Sequence, residues 1–352
     1  MGEELSLTGS SCPLPFTTHK HILLGHGGGG KLSSDLTRGL FLPIFSNPFL
    51  EKLNDQAVFE VNGSRLAFTT DSFVIDPLFF PGGDIGSLAV NGTVNDLVMS
   101  GARPLYLSAA FILEEGFLLM DLKKIVESMQ EACKEAGVIM VTGDTKVVNK
   151  GKGDGVFITT SGVGILENDR NISADQARPG DKIILSGAIG IHGIAILSVR
   201  EGLQFETELK SDTAPLVSPV MVILDVSPNI HCLRDPTRGG VSSTLNEIAQ
   251  ASKVGIELVE ANIPVWEQVK GACEMLGLDP LYVANEGKFV AFVAPQDADK
   301  VLERLREDQY GEEAVIIGEV VDDHPGMVLM RSTVGGKRVV QMLSGEQLPR
   351  IC

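Results

Sequence analysis

The chain has 352 residues, 43% of them hydrophobic, which is enough apolar material for a substantial core and enough length for two domains. Its 29 basic against 46 acidic residues leave a formal charge of −17, so no field draws it to nucleic acid or to an anionic membrane. No apolar run approaches the roughly 20 residues that span a bilayer, and residues 1–20 lack the basic-then-apolar order of a secretory signal, so a cytoplasmic protein is expected.

From the N-terminus, the first informative stretch is Gly25-His26-Gly27-Gly28-Gly29-Gly30-Lys31. Glycines let backbone N–H groups approach an anion and a lysine adds a point charge, so the stretch reads as a phosphate contact or a plain flexible loop. It satisfies G-x-G-x-x-G and G-x-x-x-x-G-K formally, but Leu32 stands where a P-loop offers a hydroxyl, and no βαβ unit with a suitably spaced acidic residue is evident.

Strand-like runs at 65–70, 105–113, 138–142 and 156–165 then alternate with helical patterns at 86–100 and 121–136, which is the signature of an α+β fold built in α/β layers. In the second helix Ile125, Met129, Cys133 and Ala136 share one face between Asp121, a predicted N-cap, and Gly137, so Cys133 is expected in the core. After a turn at Arg178-Pro179-Gly180-Asp181 a second series begins, with strands at 182–185 and 288–293 and helices at 241–251 and 265–276. Pro264 can open the last helix, whose apolar stripe includes Cys273.

Four aspartates stand out. Asp55 and Asp96 lie in polar settings, with Asn91 and Asn95 one turn apart beside Asp96, while Asp71 and Asp144 sit where apolar strands stop, a common ligand position in α/β sheets. Any one of them alone suits a cap or turn, but converging carboxylates repel unless cations intervene, and hard oxygen ligands suit Mg²⁺ held with a nucleotide phosphate. The five cysteines, Cys12, Cys133, Cys232, Cys273 and Cys352, are widely spaced without a C-x-x-C pair, which points to free thiols. Cys352 ends a polar, glycine-dotted segment that reads as a mobile arm able to carry a reacting thiol, and whose removal is expected to leave the core untouched.

Thr69-Thr70-Asp71-Ser72-Phe73-Val74, Pro81-Gly82-Gly83-Asp84-Ile85-Gly86, Gly92-Thr93-Val94-Asn95-Asp96-Leu97, Val141-Thr142-Gly143-Asp144-Thr145-Lys146, Arg234-Asp235-Pro236-Thr237-Arg238-Gly239-Gly240 and the terminal Pro-Arg-Ile-Cys resemble the HypE family of hydrogenase maturation proteins. That family belongs to the ATP-using superfamily of aminoimidazole ribonucleotide synthetase and selenophosphate synthetase. The resemblance runs from about His19 to Cys352, so Cys12 inherits no role, and His26 stands where selenophosphate synthetases carry a reactive cysteine or selenocysteine.

The resemblance implies a two-domain ATP-binding fold with a flexible C-terminal tail. Its expected parts are a leader and glycine-rich ATP lid at 1–45, an ATP-binding and dimerisation domain at 46–168, a C-terminal α/β domain at 169–335 and a mobile tail at 336–352. It also implies ATP-dependent dehydration of a carbamoyl group on Cys352 to a thiocyanate, the source of hydrogenase cyanide. Carbamoyltransferase HypF is the implied donor, and a HypC–HypD scaffold complex the acceptor. Asp55, Asp71, Asp96 and Asp144 are then the magnesium and phosphate set, with ATP contacts from Gly27, Gly28, Gly29, Gly30, Lys31, Asn95, Thr145 and Asp235. Lys146 would neutralise the oxygen or relay a proton, and Glu286 would be the general base, although both also suit surface ion pairs. A homodimer is expected. Two rivals stay open: a superfamily synthetase acting on a free small molecule, and a scaffold whose C-terminal peptide is read by a partner.

Overall fold

The computed structural model describes residues 20–167, 169–202, 209–345 and 350–352, so Cys12 and Pro349 lie outside the described residues. A glycine-rich turn leads into two short helices, α1 (Lys31–Leu36) and α2 (Leu42–Phe45). Next come β1 (Ala57–Val61), β2 (Ser64–Phe73), a small hairpin of β3 (Phe79–Phe80) and β4 (Gly83–Asp84), and helix α3 (Ile85–Val98). Strand β5 (Arg103–Glu114), helix α4 (Leu119–Ala136) and strands β6 (Ile139–Val148) and β7 (Val156–Leu166) complete the first unit.

The first sheet runs β1-β2-β7-β5-β6. Its pairs are antiparallel except β5 with β6, which are parallel because α4 carries the chain back across the sheet. Buried and half-buried residues alternate along all of β7, as the two-residue period of a central strand requires. Almost every residue of α3 is buried. Asp84 caps it, its Oδ1 accepting from the N–H groups of Gly86 (2.6 Å) and Ser87 (3.0 Å), while its own N–H donates to Ser87 Oγ at 3.1 Å. Helix α4 buries Ile125, Met129, Ala132, Cys133 and Ala136 and ends on left-handed Gly137. It begins at Leu119, however, and Asp121 lies inside its first turn, paired with Lys124 at 2.8 Å, instead of capping it.

The second sheet has the order β14-β13-β10-β12-β8-β11-β9. Its strands are β8 (Lys182–Leu185), β9 (Ile230–Arg234), β10 (Gly255–Val259), β11 (Val290–Val293), β12 (Val315–Val321), β13 (Val328–Arg331) and β14 (Lys337–Val340). Around it lie α5 (Ile191–Glu201), α6 (Val217–Val226), α7 (Gly240–Ser252), α8 (Glu267–Leu276) and α9 (Ala298–Leu305). Among the described residues no helix is long and apolar enough to cross a membrane.

One hydrophobic cluster joins the two units, taking Ile75, Leu88 and Val94 from the first and Leu216, Val220 and Phe289 from the second. Asn95, wholly buried on α3, adds a polar rivet: its Nδ2 donates to the carbonyls of Ala214 (3.1 Å) and Glu286 (3.4 Å), and its Oδ1 accepts from Leu216 N–H at 2.8 Å.

The segment beyond residue 335 differs from the predicted mobile arm at both ends. Lys337–Val340 is a sheet strand, pairing Arg331 with Lys337 and Val328 with Val340. Residues 350–352 are docked: Ile351 is 3% exposed and belongs to the cluster that joins the units. Truncation of the tail therefore removes real packing, contrary to the expectation from its sequence.

Asp84→Ala should lower stability by about 1 kcal/mol, the usual cost of losing an N-cap, read as a fall in urea midpoint with an unchanged slope.

Candidate active site

Acidic groups from both units converge between the sheets. Asp55 lies just before β1, Asp71 in β2 and Asp96 on α3, while Asp235 follows β9 and Glu286 sits on the loop before β11. Carboxylate oxygens of Asp55, Asp96 and Asp235 all lie within 4.8 Å of one another. Thr69 Oγ1 orients the set, donating to Asp96 Oδ2 at 2.8 Å.

Burial pushes every one of these acids upward, and for Asp55, Asp96, Asp235 and Glu286 repulsion from neighbouring acids adds to it. Asp55 rises from 3.8 to about 6 even though Arg234 opposes the shift, and Asp235 rises to about 8. Asp96 and Glu286 are raised well above the carboxylate range, and Asp71 is raised as well. Two guanidinium groups stand against them. Arg234 pairs with Asp55 at 2.8 Å and Glu247 at 3.0 Å, while Arg238 faces Asp71 and Glu286 and donates to the Gly27 carbonyl at 2.9 Å. Three carboxylates this close, held against repulsion by a buried frame, fit a hard divalent cation, and Asp55, Asp96 and Asp235 are the residues that would hold it.

Beside the cluster opens a cavity of about 970 Å³, lined by Gly29, Gly30, Asp55, Thr70, Arg234 and Glu247 among others. The glycine-rich turn forms its wall by close backbone approach. Gly29 has φ +69° and a Cβ there would come within 2.5 Å of Arg238, while a Cβ on Gly239 (φ +79°) would lie 2.7 Å from the Gly29 carbonyl. Gly27 and Gly28 do not line the cavity, and Lys31 points to solvent, paired with Asp35 at 2.8 Å.

The thiol of Cys352 lies in the same site. The Cys352 thiol faces Glu286, with Arg238 and Asp71 beside it, and burial holds it far above the ordinary range, so it is protonated here. Its carbonyl accepts from Val74 N–H at 3.1 Å.

Several predicted residues lie elsewhere. Asp144 and Lys146 pair with each other on β6, an edge strand, with side chains 62% and 67% exposed, and Thr145 N–H donates to Asp144 Oδ1. Within one chain none of the three joins the cluster. Asp235, and not Asp144, stands with Asp55 and Asp96, and the side chain of Asn95 bonds Ala214, Leu216 and Glu286. Cys133, Cys232 and Cys273 are buried core thiols. Sequence reading missed Arg234 and Arg238 as functional groups, although both stand in the quoted Arg234–Gly240 motif, and it gave no sign of Glu247 or His192.

The pattern described as AIR synthase related protein, N-terminal domain, matches residues 53–166, and its C-terminal-domain counterpart matches 178–330. The fold is thus that of the AIR synthase related proteins, the class to which the chain belongs. The carbamoyl dehydratase HypE of Azotobacter vinelandii is 58% identical over 327 residues, 93% of this chain and 96% of that protein. A HypE solved in complex with HypF superposes with a TM-score of 0.84 at 50% identity, covering 88% of this chain and 99% of the other. A HypE solved in complex with ATP gives 0.80 at 50% identity, over 94% and 100%. Within the class, the chain is a member of the HypE family and an enzyme, a carbamoyl dehydratase.

Because the folded values of Asp55 and Asp235 lie above their unfolded ones, the folded protein binds more protons, so without divalent cation its stability rises as pH falls through about 8 to about 6. Melting curves over that range should show the rise, Asp235→Asn should flatten it, and excess Mg²⁺ should stabilise the wild type at pH 8 but not the variant.

Proposed function

We propose that the chain dehydrates a carbamoyl group carried on its own Cys352 to a thiocyanate, at the expense of ATP, and so supplies cyanide for the iron of nickel–iron hydrogenase. The observation that carries this reading is the seating of the Cys352 thiol against Glu286 and Arg238, beside the carboxylate cluster and the cavity. A synthetase for a free small molecule would have no use for a thiol of its own in that position. A scaffold peptide would have no use for the cluster.

The carbamoyl oxygen is a poor leaving group. Transfer of the γ-phosphoryl group of ATP onto it converts it to phosphate, which departs as the N–H protons are removed and C≡N forms, so the products are the thiocyanate, ADP and phosphate. Glu286, raised well above the usual carboxylate range by burial, is a strong base once ionised and faces the sulfur that bears the group. Arg238 offsets charge developing beside that sulfur. Mg²⁺ on Asp55, Asp96 and Asp235, when bound, supplies charge neutralisation for the nucleotide phosphates. Gly29, Gly30 and the cavity beside them take the nucleotide.

HypF is the donor by this reading, supported by the HypE–HypF complex of a relative, and a HypC–HypD complex is the acceptor. A homodimer completes the proposal. On edge strand β6, Ile139, Val141 and Val147 are 61%, 56% and 66% exposed, an apolar surface that a second copy would cover. The roles expected of Asp144 and Lys146 then depend on that second copy.

Intact mass tests the chemistry. After incubation with a carbamoyl donor system the wild type should gain one carbamoyl group, then lose one water on addition of ATP, both changes mapping to the C-terminal peptide. Glu286→Gln should accept the group and slow the loss of water by about 100-fold or more, as removal of a positioned base does; modification of Cys352→Ala would discard the carrier thiol. Light scattering at micromolar concentration should give twice the chain mass, and a monomer mass would remove the dimer.

A further inference from the structure

Cys352 is partly buried in the site, seated against Glu286 and Arg238. A thiol seated there offers a donor enzyme little access, so a carrier thiol has to leave and return, and on return it must meet Glu286 in register. The contacts of the seated tail name a residue suited to that task.

His192, at the start of α5, is wholly buried, its ring perpendicular to that of Phe80 at a centroid distance of 5.6 Å. Its Nε2 lies 2.7 Å from the carbonyl oxygen of Ile351, the residue before the carrier cysteine. A carbonyl can only accept, so Nε2 carries the proton. Burial holds the ring neutral, and Nδ1 therefore accepts from the hydroxyl of Ser211 at 2.7 Å. Ser211 Oγ is itself anchored by Thr213 N–H at 3.1 Å. The next residue, Asp212, accepts the backbone N–H of Glu286 at 3.2 Å and faces Lys288 at 3.6 Å. One unbroken path thus runs from the tail carbonyl, through an imidazole and the turn 211–213, to the backbone of Glu286. When the tail is absent, the buried Nε2–H loses this acceptor.

We propose that His192 is a positioning residue that holds the Ile351 carbonyl and, through Ser211 and Asp212, couples the seating of the tail to the orientation of Glu286. This rests on reading Cys352 as the carrier and Glu286 as the base, and it goes further by naming what brings them into register.

The test uses the full chain and two readouts. The first is the rate at which a chromogenic disulfide labels Cys352, measured on the C-terminal peptide, with buried Cys232 and Cys273 as internal controls. His192→Phe should raise that rate about 10-fold and Ser211→Ala about 3-fold, the range a lost hydrogen bond commands. His192→Gln, which keeps an N–H donor near the Nε2 position, should stay within about 2-fold of wild type. The second readout is single-turnover dehydration of chain already carbamoylated, which should slow about 10-fold in His192→Phe and at least about 3-fold in Ser211→Ala, whose hydroxyl reaches the tail only through the ring.

Unchanged labelling in both deletion variants overturns the proposal. So does faster labelling shared by Cys232 and Cys273, which means general loosening, and so does a wild-type dehydration rate in Ser211→Ala, which means no coupling. If His192→Phe does not fold, Ser211→Ala and His192→Gln decide. Labelling needs no carbamoyl donor, so a Cys352 that never accepts the group would sink the carrier reading while leaving the seating result intact.

Discussion

Everything in this molecule is arranged around a group of acids that would separate if they could. Asp55, Asp71, Asp96, Asp235 and Glu286 meet between two sheets, with Arg234 and Arg238 facing them. In a poorly solvated site, like charges at such separations cost several kcal/mol before any compensation. The opposing force is apolar burial on either side: the cluster joining Leu88 and Val94 to Leu216 and Phe289 holds the units together, and Asn95 locks their relative register. Without cation the site stores repulsion, and a cation with its phosphates relieves it. Binding and charge balance are one event.

The two arginines divide the work. Arg234, tied to Asp55 and Glu247, fixes the wall shared by the cluster and the cavity. Arg238 links the glycine-rich turn, through the Gly27 carbonyl, to the surroundings of the Cys352 thiol. The same surroundings keep Cys352 protonated at rest, which protects a group that is nucleophilic only as a thiolate. A thiol that is inert when seated and reactive when free suits a carrier that must accept its cargo elsewhere.

Much was legible in the chain because it is local. The strand-like run 156–165 is close to β7, Val156–Leu166; helical spacing placed Cys133 and Cys273 in the core, where both lie. The run Lys182 to Leu185 was read with the bounds it has. Acid type and setting singled out Asp55, Asp71 and Asp96, and the motif around Asp235 carried Arg234 and Arg238 without revealing their use. Local reasoning misjudged the segment from 336 onward, since polar, glycine-dotted sequence describes a strand at a sheet edge and a docked tip as well as a free arm.

The sequence by itself therefore determined several of the strands and helices, the burial of the apolar faces of α4 and α8 and the kinds of chemistry on offer: hard oxygen ligands, a glycine-rich turn, a terminal thiol. Only the tertiary structure decided which groups meet. Asp144 was as good a ligand by type as Asp235, yet β6 carries it to the exposed edge while β9 delivers Asp235 to within 4.8 Å of Asp55 and Asp96. His192 carried no signal at all, because its partner Ile351 lies 159 residues away in the chain and becomes a neighbour only when the tail is seated. Spacing along a chain governs contacts within a helix or strand; contacts between distant segments are set by how two sheets and a tail pack, and no short window of sequence contains that.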